Sequence, residues 1–257
     1  MRRQIFVLLL VAVTGCITDF DDEIASTSDA VSTQNRLTLN RLTLNRLTLN
    51  RLTLNSLASD GLENTVEGRE LLEYVIRCAL PAHTTVVAEV DGAVYEFPGR
   101  LGLAPNWLSS ALSKRGSGLV SACLLAHVNA FDVSVPLSAR AAGLAVTGAE
   151  RTAYPIYEAT FFGDVFADAP ELYGCTGDDP EEALENSPYR ALRVCADALD
   201  GAPGPSACEF GAVGPCADVC ERELPNFGWD HCWTEPGQHG QFFEQGVSSW
   251  LRSHNSE

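Results

Sequence analysis

The sequence predicts an α+β fold, a mixed helix-strand body with a disulfide-rich irregular C-terminal subregion. Three observations carry that expectation. Residues 67–79 place Leu71, Leu72, Val75, Ile76 and Ala79 at helical spacing. Residues 84–97 hold two β-prone runs joined by Asp91-Gly92, a hairpin turn signal. Six cysteines fall between positions 175 and 232 among many Gly, Pro and acidic residues, a composition that buries little core and substitutes covalent bridges for it.

In chain order, Arg2 and Arg3 precede the apolar run Ile5 to Ala12, and small residues come next. This is the pattern of a secretory signal, and the run is shorter than the roughly twenty apolar residues that a spanning helix needs. The stretch Val13-Thr14-Gly15-Cys16 resembles the lipobox of bacterial lipoproteins. That resemblance covers residues 1–16 and implies lipidation of Cys16, cleavage before it and attachment to a membrane through acyl chains. An ordinary signal peptide with a chance cysteine is the alternative. Ile17 in place of Asp after the lipid cysteine favours, by analogy with lipoprotein sorting, the outer membrane over the inner.

Residues 17–34 are polar, acidic and rich in Ser and Thr, the composition of a flexible tether. The unit Asn35-Arg36-Leu37-Thr38-Leu39 then recurs at 40–44, 45–49 and 50–54, with a decayed copy from Asn55. Its period of five fits neither helix nor strand. It resembles a pentapeptide-repeat solenoid, but Asn or Leu stands where a small inward residue is usual, and four copies make only about one coil. The repeat therefore reads either as a repetitive spacer or as a β-prone adhesive segment. Residues 16–55 would reach at most ~130 Å when extended and ~35 Å as a coil. The expected domains are a signal peptide (1–15), a tether with pentapeptide repeats (16–59) and a disulfide-stabilised α+β domain (60–257).

Within that domain, Pro81 ends the first helix. Leu101 to Trp107 reads as a loop that packs Leu and aromatic side chains. Gly118 to Ala130 reads as a second apolar helix, with Val120, Cys123, Leu124, His127 and Val128 on one face. Phe131 to Leu137 alternates as a strand, and Glu150 to Val165 is β-rich with an interruption at Pro155.

Composition bounds function. The 257 residues carry a net charge of −17 at 46% hydrophobic content, ordinary for a globular chain. Six of the 17 bases and five of the 34 acids lie in residues 1–55, so the remainder carries 11 bases and 29 acids. A domain that acidic repels phosphate backbones, so no nucleic-acid partner is expected. Of nine cysteines, assigning Cys16 to lipid leaves an even set: Cys78, Cys123, Cys175, Cys195, Cys208, Cys216, Cys220 and Cys232. In an exported chain such a set reads as disulfides. Cys78 is expected to pair with Cys123, and the other six among themselves.

Candidate sites are few. Cys123 and His127 are four apart on one helix face, a nucleophile-base spacing, but Cys78 offers Cys123 a bridge. No G-x-S-x-G, H-E-x-x-H or P-loop occurs, so no catalytic residue is assigned. Asp230, His231, Glu235 and His239 combine imidazole and carboxylate ligand types, yet their spacing matches no standard metal motif. No metal or cofactor is therefore expected. The Asp178-Asp179-Pro180-Glu181-Glu182 loop lacks calcium-loop spacing and reads as a helix start. Trp229 and Trp233, with His231, His239, Phe227, Phe242 and Phe243 nearby, read either as the core of the late lobe or as a ligand-binding platform able to stack sugar rings. The function expected is a lipid-anchored exported protein with a non-catalytic binding, adhesion or envelope-structural role, whose partner is an envelope protein or polysaccharide. The alternative is an extracellular or periplasmic hydrolase with an unrecognised site.

Overall fold

In the computed structural model, residues 31–32, 61–128, 134–177, 186–187, 189 and 210–253 are described. The lipobox with Cys16, the repeat, the strand start Phe131 to Val133, the 178–182 loop, Cys195 and Cys208 lie outside them.

The first helix, α1 (Val66–Ala79), begins where Thr65 Oγ1 accepts a hydrogen bond from Gly68 N at 2.9 Å, with Glu67 at the positive end of the dipole. Leu71, Leu72, Val75, Ile76 and Ala79 are all buried, as the periodicity requires. The hairpin β2 (Thr85–Val90) and β3 (Ala93–Pro98) turns at Asp91 (φ 52°) and Gly92 (φ 80°), two left-handed residues of the kind a two-residue hairpin demands. Leu101, Leu103 and Trp107 bury their side chains through a 3-10 turn at Pro105–Leu108.

The second helix, α2 (Lys114–His127), starts four residues earlier than its apolar run suggests. Ser113 Oγ caps it by accepting from Gly116 N at 3.0 Å, so the polar Lys114 to Ser117 turn joins the helix. The expected strand at 131–137 is displaced. Residues 134–136 are not strand, and β4 spans Leu137–Arg140. Pro136 has no N–H to give to a ladder, so regular pairing begins just after it. The β-rich reading of 150–165 is corrected in its first part, because Gly148–Ala153 is a short helix, α3, capped by Thr147. After Pro155 the chain runs as β5 (Ile156–Asp164).

The remaining elements are β6 (Glu171–Thr176), β7 (Gly211–Pro215), α4 (Cys216–Val219), β8 (Cys220–Leu224), β9 (Gly228–Glu235), β10 (His239–Phe243) and β11 (Val247–Leu251). With β1 (Val31–Ser32) they form a six-stranded sheet ordered β1-β4-β11-β5-β6-β7 and a three-stranded sheet ordered β10-β9-β8. All pairs are antiparallel except β6 with β7. β1 pairs Val31 and Ser32 with Ser138 and Leu137, so the stretch expected to be tether touches the sheet at two residues.

The six-stranded sheet has two differently covered faces. α2 lies on one, against Ala139, Ala159, Phe161, Val247 and Leu251, and α1 packs behind it. The three-stranded sheet lies on the other, over Tyr157, Phe162 and Cys175. The C-terminal subregion is thus disulfide-rich as expected, and its residues from 211 onward are largely regular strand.

Cys78 and Cys123 join α1 to α2 with Cα atoms 6.0 Å apart. Cys175–Cys216 and Cys220–Cys232 staple the second layer. Such bridges persist in oxidising compartments, which points to a location outside the cytoplasm.

The bridges span 45 and 12 residues respectively for Cys78–Cys123 and Cys220–Cys232. On chain entropy, losing the first costs about 4 kcal/mol and losing the second about 3 kcal/mol. Urea unfolding of the paired Cys→Ala variants is expected to give that order; the reverse order would contradict it.

Candidate functional site

The second layer is held by sulfur and by a buried polar seam. Cys220 and Cys232 face each other across β8 and β9 and are bridged. Cys220 Sγ lies 3.7 Å from Cys175 Sγ, so the two bridges of the lobe pack against one another. Thr160 Oγ1 pairs with Tyr157 OH at 2.6 Å and with Ser248 Oγ at 2.5 Å, and accepts from Trp229 N at 3.3 Å. A Cβ on Gly228 (φ 84°) would run into Ser248 Oγ, so glycine there lets β9 approach the sheet.

Arg140 anchors the seam and is 1% exposed. Its Nε donates to Ser138 Oγ at 2.8 Å and its Nη2 to the Tyr154 carbonyl at 2.7 Å. Its Nη1 donates to the Asn226 carbonyl at 3.3 Å, in the turn between β8 and β9. The guanidinium also stacks 4.3 Å over the Trp250 ring. Burial pushes its pKa down to about 10, and the Glu150 carboxylate opposes that shift, so it stays cationic at neutral pH. Ser138 Oγ donates to Glu150 Oε1 at 2.5 Å, while Glu150 Oε2 is buried without a hydrogen-bond partner. Nothing in the hydropathy pattern marks Ser138, Arg140 or Glu150. A strand in which Arg is buried breaks the rule that periodicity reads.

The opposite face of the three-stranded sheet looks outward. Phe242 pairs directly with Trp233, while the next pair, Phe243 with Cys232, turns inward. The Trp233 and Phe242 rings lie 4.7 Å apart, and His231 meets Phe242 edge-on at 5.8 Å. Phe242 is 45% exposed. His231 has a left-handed backbone (φ 56°), its N–H donates to the Glu244 carbonyl, and its Nδ1 lies 3.0 Å from Asp230 Oδ1.

The expected binding set therefore divides. His231 and Trp233 come together, completed by Phe242. Trp229 is half-buried and packs with Phe243 against the second core cluster. His239 is exposed, opposite Glu235 on β9. The Asp230, His231, Glu235 and His239 quartet does not converge: the Asp230 carboxylate is taken by Arg222, whose Nε donates to it at 2.7 Å. That hydrogen bond is the main reason the Arg222 pKa is raised. The bridge that Cys78 offers Cys123 forms, so the cysteine-histidine pair holds no thiol. His127 Nδ1 is 2.7 Å from the Cys123 carbonyl, to which it donates.

Removing one partner of a buried charged cluster costs about 3–5 kcal/mol, because the other stays buried and unpaired. Arg140→Met is expected to lose that much in urea unfolding. Arg140→Met with Glu150→Gln should lose clearly less than the two single variants added together; strict additivity would break the proposed coupling. No family model, no curated protein and no solved structure matches this chain.

Proposed function

We propose that the chain is an exported, lipid-anchored protein of the bacterial envelope, tethered at Cys16, most simply to the outer membrane, with a non-catalytic binding role. The observation that carries the binding part is the outward cluster of His231, Trp233 and Phe242 on a sheet stapled from behind. Exposed apolar residues grouped together, unlike single ones, mark interaction surfaces. Here the second core cluster is already filled by Phe162, Tyr157, Tyr173 and Phe243. A rigid support lowers the ordering cost of binding.

The anchoring part rests on the lipobox resemblance and on the bridges that pair Cys78, Cys123, Cys175, Cys216, Cys220 and Cys232 among the described residues. No helix among the described residues is long and apolar enough to cross a membrane. The partner is an envelope component, protein or polysaccharide.

Two measurements test this reading. Radiolabelled palmitate should enter the wild-type protein and not Cys16→Ala; equal labelling, or none in either, would refute the anchor. A chain lacking residues 1–16 should sediment with native envelopes, and Trp233→Ala with Phe242→Ala should weaken that at least tenfold. Unchanged sedimentation would remove the binding face.

A further inference from the structure

Resting on that reading of the outward face, we propose that its partner is a protein segment presenting arginine side chains, held by guanidinium stacking on Trp233 and Phe242 between glutamates. The strand pleat places alternate residues on one face. Trp229 pairs with Glu223 and Trp233 with Phe242. Two residues from Glu223 along β8 is Glu221, and two residues from Trp233 along β9 is Glu235. The carbonyl of Glu244 accepts from the His231 N–H. Glu221, Glu223, Glu235 and Glu244 are all exposed. Among the described residues no Lys or Arg forms a salt bridge with any of the four. Arg222, the one Lys or Arg of these strands, is taken by Asp230 and feels Glu244 only as a weaker, longer-range charge.

A neutral sugar ring would stack on the aromatic surface and hydrogen-bond the carboxylates through its hydroxyls, but it would leave their negative charge uncompensated. A cation uses both. Adjacent strands lie about 4.8 Å apart, so a guanidinium over Trp233 or Phe242 is within a side-chain length of a glutamate on the same or the next strand. Arginine suits the pair better than lysine, because its planar group stacks on a ring while its N–H fork meets a carboxylate. The fold itself uses this contact elsewhere. Arg69 sits 4.4 Å over Tyr95, Arg140 4.3 Å over Trp250 and Arg252 5.7 Å over Tyr154. Among the described residues no cation covers Trp233 or Phe242.

The test is fluorescence anisotropy with labelled hexapeptides of alternating Arg-Thr, Lys-Thr and Gln-Thr, and competition by a neutral hexasaccharide. The Arg peptide is expected to bind, the Lys peptide several-fold more weakly, and the Gln peptide and hexasaccharide not measurably. Trp233→Ala and the pair Glu221→Gln with Glu223→Gln should each weaken Arg-peptide binding roughly tenfold. The pair Glu89→Gln with Glu96→Gln, which removes equal exposed charge from the β2–β3 hairpin, should leave it unchanged. Retained circular dichroism, together with Trp233→Phe keeping most of the affinity, separates a lost contact from a lost fold. If the hexasaccharide or the Gln peptide binds through Trp233 and the Arg peptide does not, the face remains a binding surface and the arginine inference fails. If no probe responds to Trp233→Ala, or the hairpin control weakens binding as much, the site fails as well.

Discussion

The structure depends on how a small three-stranded sheet is kept on the back of a larger one. That layer has little hydrophobic core of its own, and the seam beneath it is partly polar. Cystine supplies what burial does not. Cys175–Cys216 ties β6, the strand next to the edge of the large sheet, to the short helix before β8, and Cys220–Cys232 ties β8 to β9, with the two bridges in sulfur contact. The cross-links act mainly by restricting the unfolded chain, and here they also fix which face of β9 points outward.

The seam adds orientation. Arg140 reaches from β4 to the Asn226 carbonyl, and the hydroxyls of Tyr157, Thr160 and Ser248 form a continuous hydrogen-bonded line under β9. A charged group this deep is a costly way to gain stability, but its directional bonds admit one placement of the β8–β9 turn. The outward rings inherit that placement. On the other face α2 packs on the sheet, and the Cys78–Cys123 bridge ties α1 to α2 behind it.

Parts of this architecture are legible in the residues and parts are not. The stripe from Leu71 to Ala79 marks α1, and Asp91-Gly92 marks the hairpin, because in both the local signal and the tertiary burial agree. The start of α2 is hidden because Gly116-Ser117-Gly118 looks like a loop until Ser113 is recognised as its cap. The helix α3 is hidden because six residues carry too little periodicity to separate from the strand that comes after Pro155. The position of β4 is obscured because half of its residues are Ser138 and Arg140, which no hydropathy pattern marks as buried. The aromatic residues of the lobe are visible as a group. Alternation puts Trp229 on the same face of β9 as Trp233. That Trp229 is half-buried against the second core cluster while Trp233 and Phe242 form the outward pair, with Phe243 turned inward, depends on packing and on the bulge before Phe242, which emerge only when the strands pair.

The proposed function divides among these parts. The α+β body carries the plate, the cystines fasten a second sheet to it, and the exposed face of that sheet is the one proposed to meet a partner. Peptide mapping of the purified protein, alkylated and digested without reduction, probes the fastening directly. Linked peptides joining Cys175 to Cys216 and Cys220 to Cys232 are the predicted result. Alkylated thiols at those four positions, or a different partner for any of them, would contradict it.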